Sequence, residues 1–268
     1  MKKMMLLLLF VLSGLSASAQ CSSSNSAFKS GETLIYDLYF NWKFVWIKVG
    51  SASMNTTQTV YGGHPAYRTY LITRGSKKAD NIFVMRDTLM SYMGLDLVPK
   101  YYIKKALEGK TYRRNEVWYS YPKGQCSIKM RYQRDNNPAK FSNSTSKYCG
   151  FDMISMLMRA RSFSAEQMKV GHRINFLMPD GRTCEWKSIV YRGKKTFKME
   201  NTNVKYRCLV FSFLEKEKGK EKEIVTFYVT DDKNHLPVRL DMNLNFGTAK
   251  AFLRGANGLR NPQTAKIK

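Results

Sequence analysis

Apolar and polar residues alternate along most of this chain. Behind Gly31-Glu32, the residues Leu34, Tyr36, Leu38 and Phe40 recur at every second position, the period-two pattern of a strand with one buried face. Similar stretches follow at 42–49, 52–59, 66–74, 83–90, 97–103, 112–121 and 127–133. A second set opens after Gly171 at 173–178, 183–191, 196–200, 206–214, 224–230, 238–242 and 248–253. Tyr61-Gly62-Gly63-His64-Pro65 and Pro122-Lys123-Gly124 punctuate the first set as turns, because glycine supplies positive φ and proline fixes the exit. Residues 135–146 read as a polar loop, and the mixed-sign run 215–223 as a solvated hairpin tip.

One segment breaks the alternation. In FDMISMLMRARSF, residues 151–163, Asp152 is placed to cap a helix, and only Ser155, Arg159 and Arg161 interrupt Met153, Ile154, Met156, Leu157, Met158 and Ala160. A helix apolar over most of its circumference must be buried on several sides. Together these patterns predict a mainly β fold: an antiparallel curved sheet, sandwich or open barrel of two similar halves, with one inserted buried helix at about residues 151–163.

The two halves are suggested by matching landmarks. Gly31-Glu32 with Leu34 and Tyr36 parallels Gly171-His172 with Ile174 and Phe176, and Phe83, Asp87 and Pro99 parallel Phe227, Asp231 and Pro237. The domain reading is a single β-rich unit over 28–254, built of pseudo-repeats at about 28–105 and 171–247. The competing reading is the common rhythm of strand, turn and strand. Residues 20–27 are expected to be a disordered leader and 255–268 a frayed end.

Lys2, Lys3, the apolar run 4–12 and Ala17-Ser18-Ala19 form a secretory signal peptide, with cleavage expected after Ala19. This predicts a periplasmic or secreted protein. The competing reading is a lipoprotein acylated at Cys21, which Gln20 fits poorly. In an exported chain Cys126, Cys149, Cys184 and Cys208 are disulfide candidates with three possible connectivities. Short loops favour Cys126–Cys149 and Cys184–Cys208, and buried free thiols are the alternative.

A family likeness rests on Phe28-x-x-Gly31-Glu32-x-Leu34-x-Tyr36, Gly50, the Asp152-Met153-Ile154-Ser155 helix start, Gly171, and the block Thr230-Asp231-Asp232 to Leu236-Pro237-Val238 with Gly247. In these the chain resembles the exported bacterial family known as domain of unknown function 3108. The resemblance implies a predominantly β envelope protein of Gram-negative bacteria. It implies no reaction, and it carries no catalytic residues over to this chain. The Ala19-Gln20 junction is similar to signal peptides of the Bacteroidetes. The basic excess departs from what the family alone implies.

Candidate chemistry is sparse. His64, His172 and His235 show no metal-ligand spacing, no cysteine pair is C-x-x-C, and Asp231-Asp232 would point to opposite faces of a strand. No catalytic residues, metal or cofactor are therefore assigned. The formal net charge of +25 is the strongest signal, since it attracts anions. Lys104, Lys105, Arg113 and Arg114 are the candidate anion site. Nucleic acid is not an expected partner of an exported chain, whereas lipid, lipopolysaccharide and acidic glycan are. A second candidate is a groove lined by Met153, Met156, Leu157 and Met158, with Arg159 and Arg161 meeting a ligand head group; ordinary core packing is its alternative. The functional expectation is a non-enzymatic protein binding an anionic or amphiphilic envelope component. The alternatives are a hydrolase of an envelope polymer and a purely structural envelope protein.

Overall fold

A computed structural model describes residues 21–42, 45–217, 219–244 and 247–267. The expected signal peptide and the cleavage expected after Ala19 lie outside them. The first half runs β1 (Glu32–Trp42), β2 (Val45–Tyr61), β3 (His64–Gly75), a short helix α1 (Lys77–Asp80), β4 (Met85–Gly94), β5 (Pro99–Glu108), β6 (Thr111–Ser120), β7 (Cys126–Arg134) and β8 (Lys140–Ser146). After helix α2 (Met153–Ala160) come β9 (Arg173–Pro179), β10 (Cys184–Lys198), β11 (Lys205–Glu217), β12 (Lys220–Thr230), β13 (Pro237–Leu244), β14 (Gly247–Asn257) and β15 (Lys266–Ile267). All belong to one 15-stranded sheet ordered β8 to β1 and then β14 back to β9, with β15 added beside β11. Every named pair is antiparallel, and β8 and β9 end the path without pairing to each other. The curved open sheet of the sequence reading is therefore observed.

Alternation fixes which face is enclosed. Leu34, Met54, Leu71, Leu89, Tyr102, Val117 and Ile128 fall on one face through successive strand registers and meet in one core. Register shifts in β1 at Ile35/Tyr36 and Leu38/Tyr39 insert bulges that bend the strand and strengthen curvature. Inside the curve sits α2. Its Ile154 and Met158 join the large core, while Met156 turns to a second cluster with Phe151 and Phe176.

Three expectations need correction here. Residues 21–27 are not a disordered leader: Ser23 N–H donates to Asp96 O at 2.8 Å, Ala27 is fully buried, and Cys21 forms a disulfide with Cys149. The C-terminal residues are likewise held, with Ala265 buried and β15 paired to β11. The polar stretch read as a loop at 135–146 contains β8, which pairs with β7 from Cys126↔Ser146 to Tyr132↔Lys140.

The cysteine pairings are also different. Cys126, Cys184 and Cys208 are free thiols. Cys208 lies opposite Lys195 on β10, 11 residues beyond Cys184, a separation of roughly 35 Å along a strand. Cys149 is committed to Cys21, with Cα atoms 5.5 Å apart. That bond uses the sulfur that lipidation of Cys21 would need. Burial pushes the Cys184 thiol up to about 11 and that of Cys208 up to about 12, so neither is a reactive thiolate near neutral pH.

The block around Thr230 proves to be a folding device. Thr230 Oγ1 donates to Asp232 Oδ1 at 2.8 Å and accepts from Leu236 N–H at 2.8 Å, closing the β12–β13 turn. His235 takes a positive φ of 42° there, and Leu97 does the same at 61° two residues before Pro99 in the β4–β5 turn. Asn234 ties this turn to the C-terminus, its amide donating to Asn261 O at 2.9 Å and accepting from Asn261 N–H at 2.9 Å. Its carbonyl accepts from Arg161.

Candidate functional site

The site is built outward from α2. Asp152 caps the helix: Oδ1 accepts from the N–H groups of Ile154 at 3.1 Å and Ser155 at 2.9 Å. Its Oδ2 accepts from Ser155 Oγ at 2.8 Å, Ser91 Oγ at 3.1 Å and Tyr119 OH at 3.3 Å. Burial raises the carboxyl above its ordinary value, and these donors work in the opposite direction. The helix is thereby pinned to β4 and β6, which sets the orientation of everything after it.

The proposed lining residues separate. Ile154 and Met158 are sealed in the core, Leu157 packs partly against it, and Met153 points outward with 44% of its surface exposed. Met156 alone among these methionines lines a hollow of about 360 Å³. Its walls come from three places: Phe151 and Met156 around the helix start, Phe163 beyond its end, and Ile174, Phe176 and Trp186 from β9 and β10. The size falls at the lower end of small-molecule sites. Sequence reasoning missed the contribution of Phe151, Phe163 and Trp186, although the first two flank the apolar helix directly.

The two arginines also part company. Arg161 is 1% exposed and bidentate to Glu32, at 2.5 and 2.9 Å, so it cannot meet a ligand head group. Arg159 lines the hollow. Its guanidinium donates to the main-chain carbonyls of Cys21 at 2.6 Å and Ser22 at 3.4 Å and lies 4.9 Å from the Phe151 ring centroid. Burial lowers its pKa, an effect that Asp96 opposes, but a guanidinium stays charged at any physiological pH. Its hydrogen-bond partners are neutral, so among the described residues the cation is positioned without a carboxylate bound to it.

The four-residue anion cluster is not one patch. Lys105 stands opposite Arg114 and Ala106 opposite Arg113, so Lys104 and Arg113 share the inner face and Lys105 and Arg114 the outer one. Lys104 and Arg113 both pair with Glu108, at 3.3 and 2.6 Å. Arg114 donates to the buried Glu116 at 3.0 Å, which also accepts from Tyr101 OH at 2.6 Å and Arg131 at 2.8 Å. Three of the four cations are thus engaged within the fold, and Lys105 is the exposed one.

Asp87 sits on the inner face beside these groups. Its Oδ1 is buried with no hydrogen-bond partner among the described residues. Burial pushes its carboxyl up to about 6, opposed by Lys104 and reinforced by Glu108. Because the folded state holds this proton more tightly than the unfolded chain, the cost of Asp87 grows from about pH 4 to pH 6 and is complete above that. Asp87→Asn is therefore expected to stabilise the fold at pH 7.5 by about 1–2 kcal/mol, after discounting for its partial exposure. The gain should be absent at pH 3.5. Urea melts at both pH values check this; an equal gain at both would assign the effect to packing rather than charge.

Comparisons with known proteins add the family. The family model described as "Protein of unknown function (DUF3108)" matches residues 35–254. A search of curated proteins gives no match. Among solved structures, the β-barrel-like protein of domain of unknown function DUF1849 from Brucella abortus is similar with a TM-score of 0.55 and 9% identity, covering 88% of this chain and 100% of that one. That likeness concerns the fold alone. A protein described as exported, with a YmcC-like fold, from Bacteroides fragilis gives a TM-score of 0.35 and 8% identity, over 88% of this chain and 99% of that one.

Proposed function

Because the chain belongs to the DUF3108 family of proteins of unknown function, whose description carries no reaction, we propose on the site's geometry that it is a non-enzymatic binding protein for an amphiphile with an anionic head group. The observation that carries this is Arg159: a cation bonded to neutral carbonyls at the wall of an apolar hollow. An apolar chain in the hollow would bury its surface against Phe151, Met156 and Phe176, and a carboxylate or phosphate at its end would receive the guanidinium. Among the described residues no carboxylate or histidine lines the hollow, which favours binding over hydrolysis.

The Cys21–Cys149 disulfide supports an oxidising location, the periplasm or cell exterior, where envelope lipids and glycolipids are the available amphiphiles. Among the described residues no helix is long and apolar enough to cross a membrane.

Decanoate and decyltrimethylammonium share a chain and differ in head-group charge. Calorimetric titration below micelle-forming concentrations is expected to show decanoate binding about tenfold more tightly, the size of one charge-assisted hydrogen bond. Arg159→Gln should erase that preference. No binding of either probe, together with a clean apo mass for protein gently extracted from its native envelope, would refute the reading.

A further inference from the structure

A second hollow of about 570 Å³ adjoins the first, and the two meet at Tyr148, Asn175 and Trp186. Tyr148 and Trp186 pack edge to face, 5.1 Å between centroids, yet remain 43% and 47% exposed. Large aromatic rings left this open beside a cavity are a surface a ligand can use. The second hollow has a different character from the first. Its lining holds Arg173, Lys216, Glu215 and Glu221, two charges of each sign. Arg173 and Glu221 are bidentate to one another at 2.6 and 3.0 Å, and Glu215 lies 3.4 Å from Lys187. Such a lobe has little preference for either sign of charge. What it presents is hydrogen-bonding capacity: Ser188 Oγ donates to Asn175 Oδ1 at 2.7 Å, which leaves the Asn175 amide N–H groups directed elsewhere.

A sugar ring matches this combination. One face of a hexose is lined by C–H groups that pack on an aromatic ring, while its hydroxyls form hydrogen bonds around the rim and carry no charge. We propose that the ligand is a glycosylated amphiphile: its apolar chain occupies the first hollow, an anionic group meets Arg159, and the sugar stacks at Trp186 and Tyr148 and extends toward Asn175 and Ser188. This rests on the amphiphile reading above and names the class of head group. Chain, charge and sugar are then read by separate sets of residues.

Decyl maltoside and decyl tri(ethylene glycol) are both uncharged and carry the same chain. Titration followed by tryptophan fluorescence and calorimetry is expected to show the maltoside binding about tenfold more tightly, the worth of one stacked ring or a pair of neutral hydrogen bonds. Trp186→Leu should remove this preference, although the same ring also helps to wall the chain hollow; Ser188→Ala, at a residue that lines the second hollow and not the first, should reduce the preference and leave decanoate affinity within about twofold. Equal affinity for the two uncharged probes, with decanoate still bound, would overturn the sugar assignment alone. Failure of all three alkyl probes to bind would overturn the amphiphile reading as well. A Ser188→Ala protein that retains its melting temperature but weakens decanoate and the maltoside equally would also overturn the sugar assignment.

Discussion

Glu32→Ala is expected to destabilise the protein by about 3–5 kcal/mol, because it leaves the Arg161 guanidinium buried without its counter-charge. Both side chains are 1% exposed. The pair is bidentate, and Arg161 also donates to Asn234 O, at 3.2 Å from Nε and 3.1 Å from Nη2, and from Nη1 to Met158 Sδ at 3.9 Å. Its guanidinium also lies 5.5 Å from the Phe28 ring centroid. Removing the acid therefore strands a cation among apolar groups, while the arginine still holds α2 to the β12–β13 turn. The double variant Glu32→Leu with Arg161→Met should recover most of the loss, since two apolar side chains of similar volume require no desolvation of charge. Chemical denaturation of the three proteins separates these outcomes. A double variant as unstable as the single one would mean that the bonds to Asn234, rather than the ion pair, dominate the junction.

Cys149→Ser should cost up to about 5 kcal/mol. The bond joins residues 128 apart, and in the chain-entropy picture closing a loop of that length restrains the unfolded state by about this amount. Engineered bonds often deliver less, so about 3–5 kcal/mol is the working range. The local consequence is separable from the global one. Cys21 O is the main acceptor for Arg159, so losing the bond should loosen residues 21–27 and the guanidinium together. Hydrogen exchange is expected to rise in residues 21–27 and around 156–163 before the sheet melts. Matching denaturation curves with and without a thiol reductant would overturn the assignment of the bond.

Much of the fold was legible because alternation is a local signal. Leu34 and Tyr36 mark the enclosed face, and Asp152 with its apolar followers marks α2. Strand β8 was illegible for the complementary reason: an end strand with exposed or half-exposed positions throughout needs no apolar face, so KFSNSTS reads as a loop. The Glu32–Arg161 pair spans 129 positions, yet each partner left a trace. Glu32 lies in phase with Leu34 and Tyr36, and Arg161 continues the helical stripe of Ile154 and Met158, so both occupy faces that must be buried. The Cys21–Cys149 bond left none, because a cysteine in a small polar segment looks like part of a tail. Of the candidate site, Met156 and Arg159 were legible through the helix. The walls from β9 and β10 required the sheet to curve around it.

Strand β8 has one further consequence. A terminal strand offers a row of unpaired N–H and C=O groups on which a second molecule can add a strand, the route to fibres and dimers. Here that row is carried by Lys140, Phe141 and a run of Ser, Asn and Thr, with Lys147 directly after it. Such a border has weak β propensity and repels a second copy of an already basic chain. The polarity that hid this strand in the sequence also disfavours polymerisation along it.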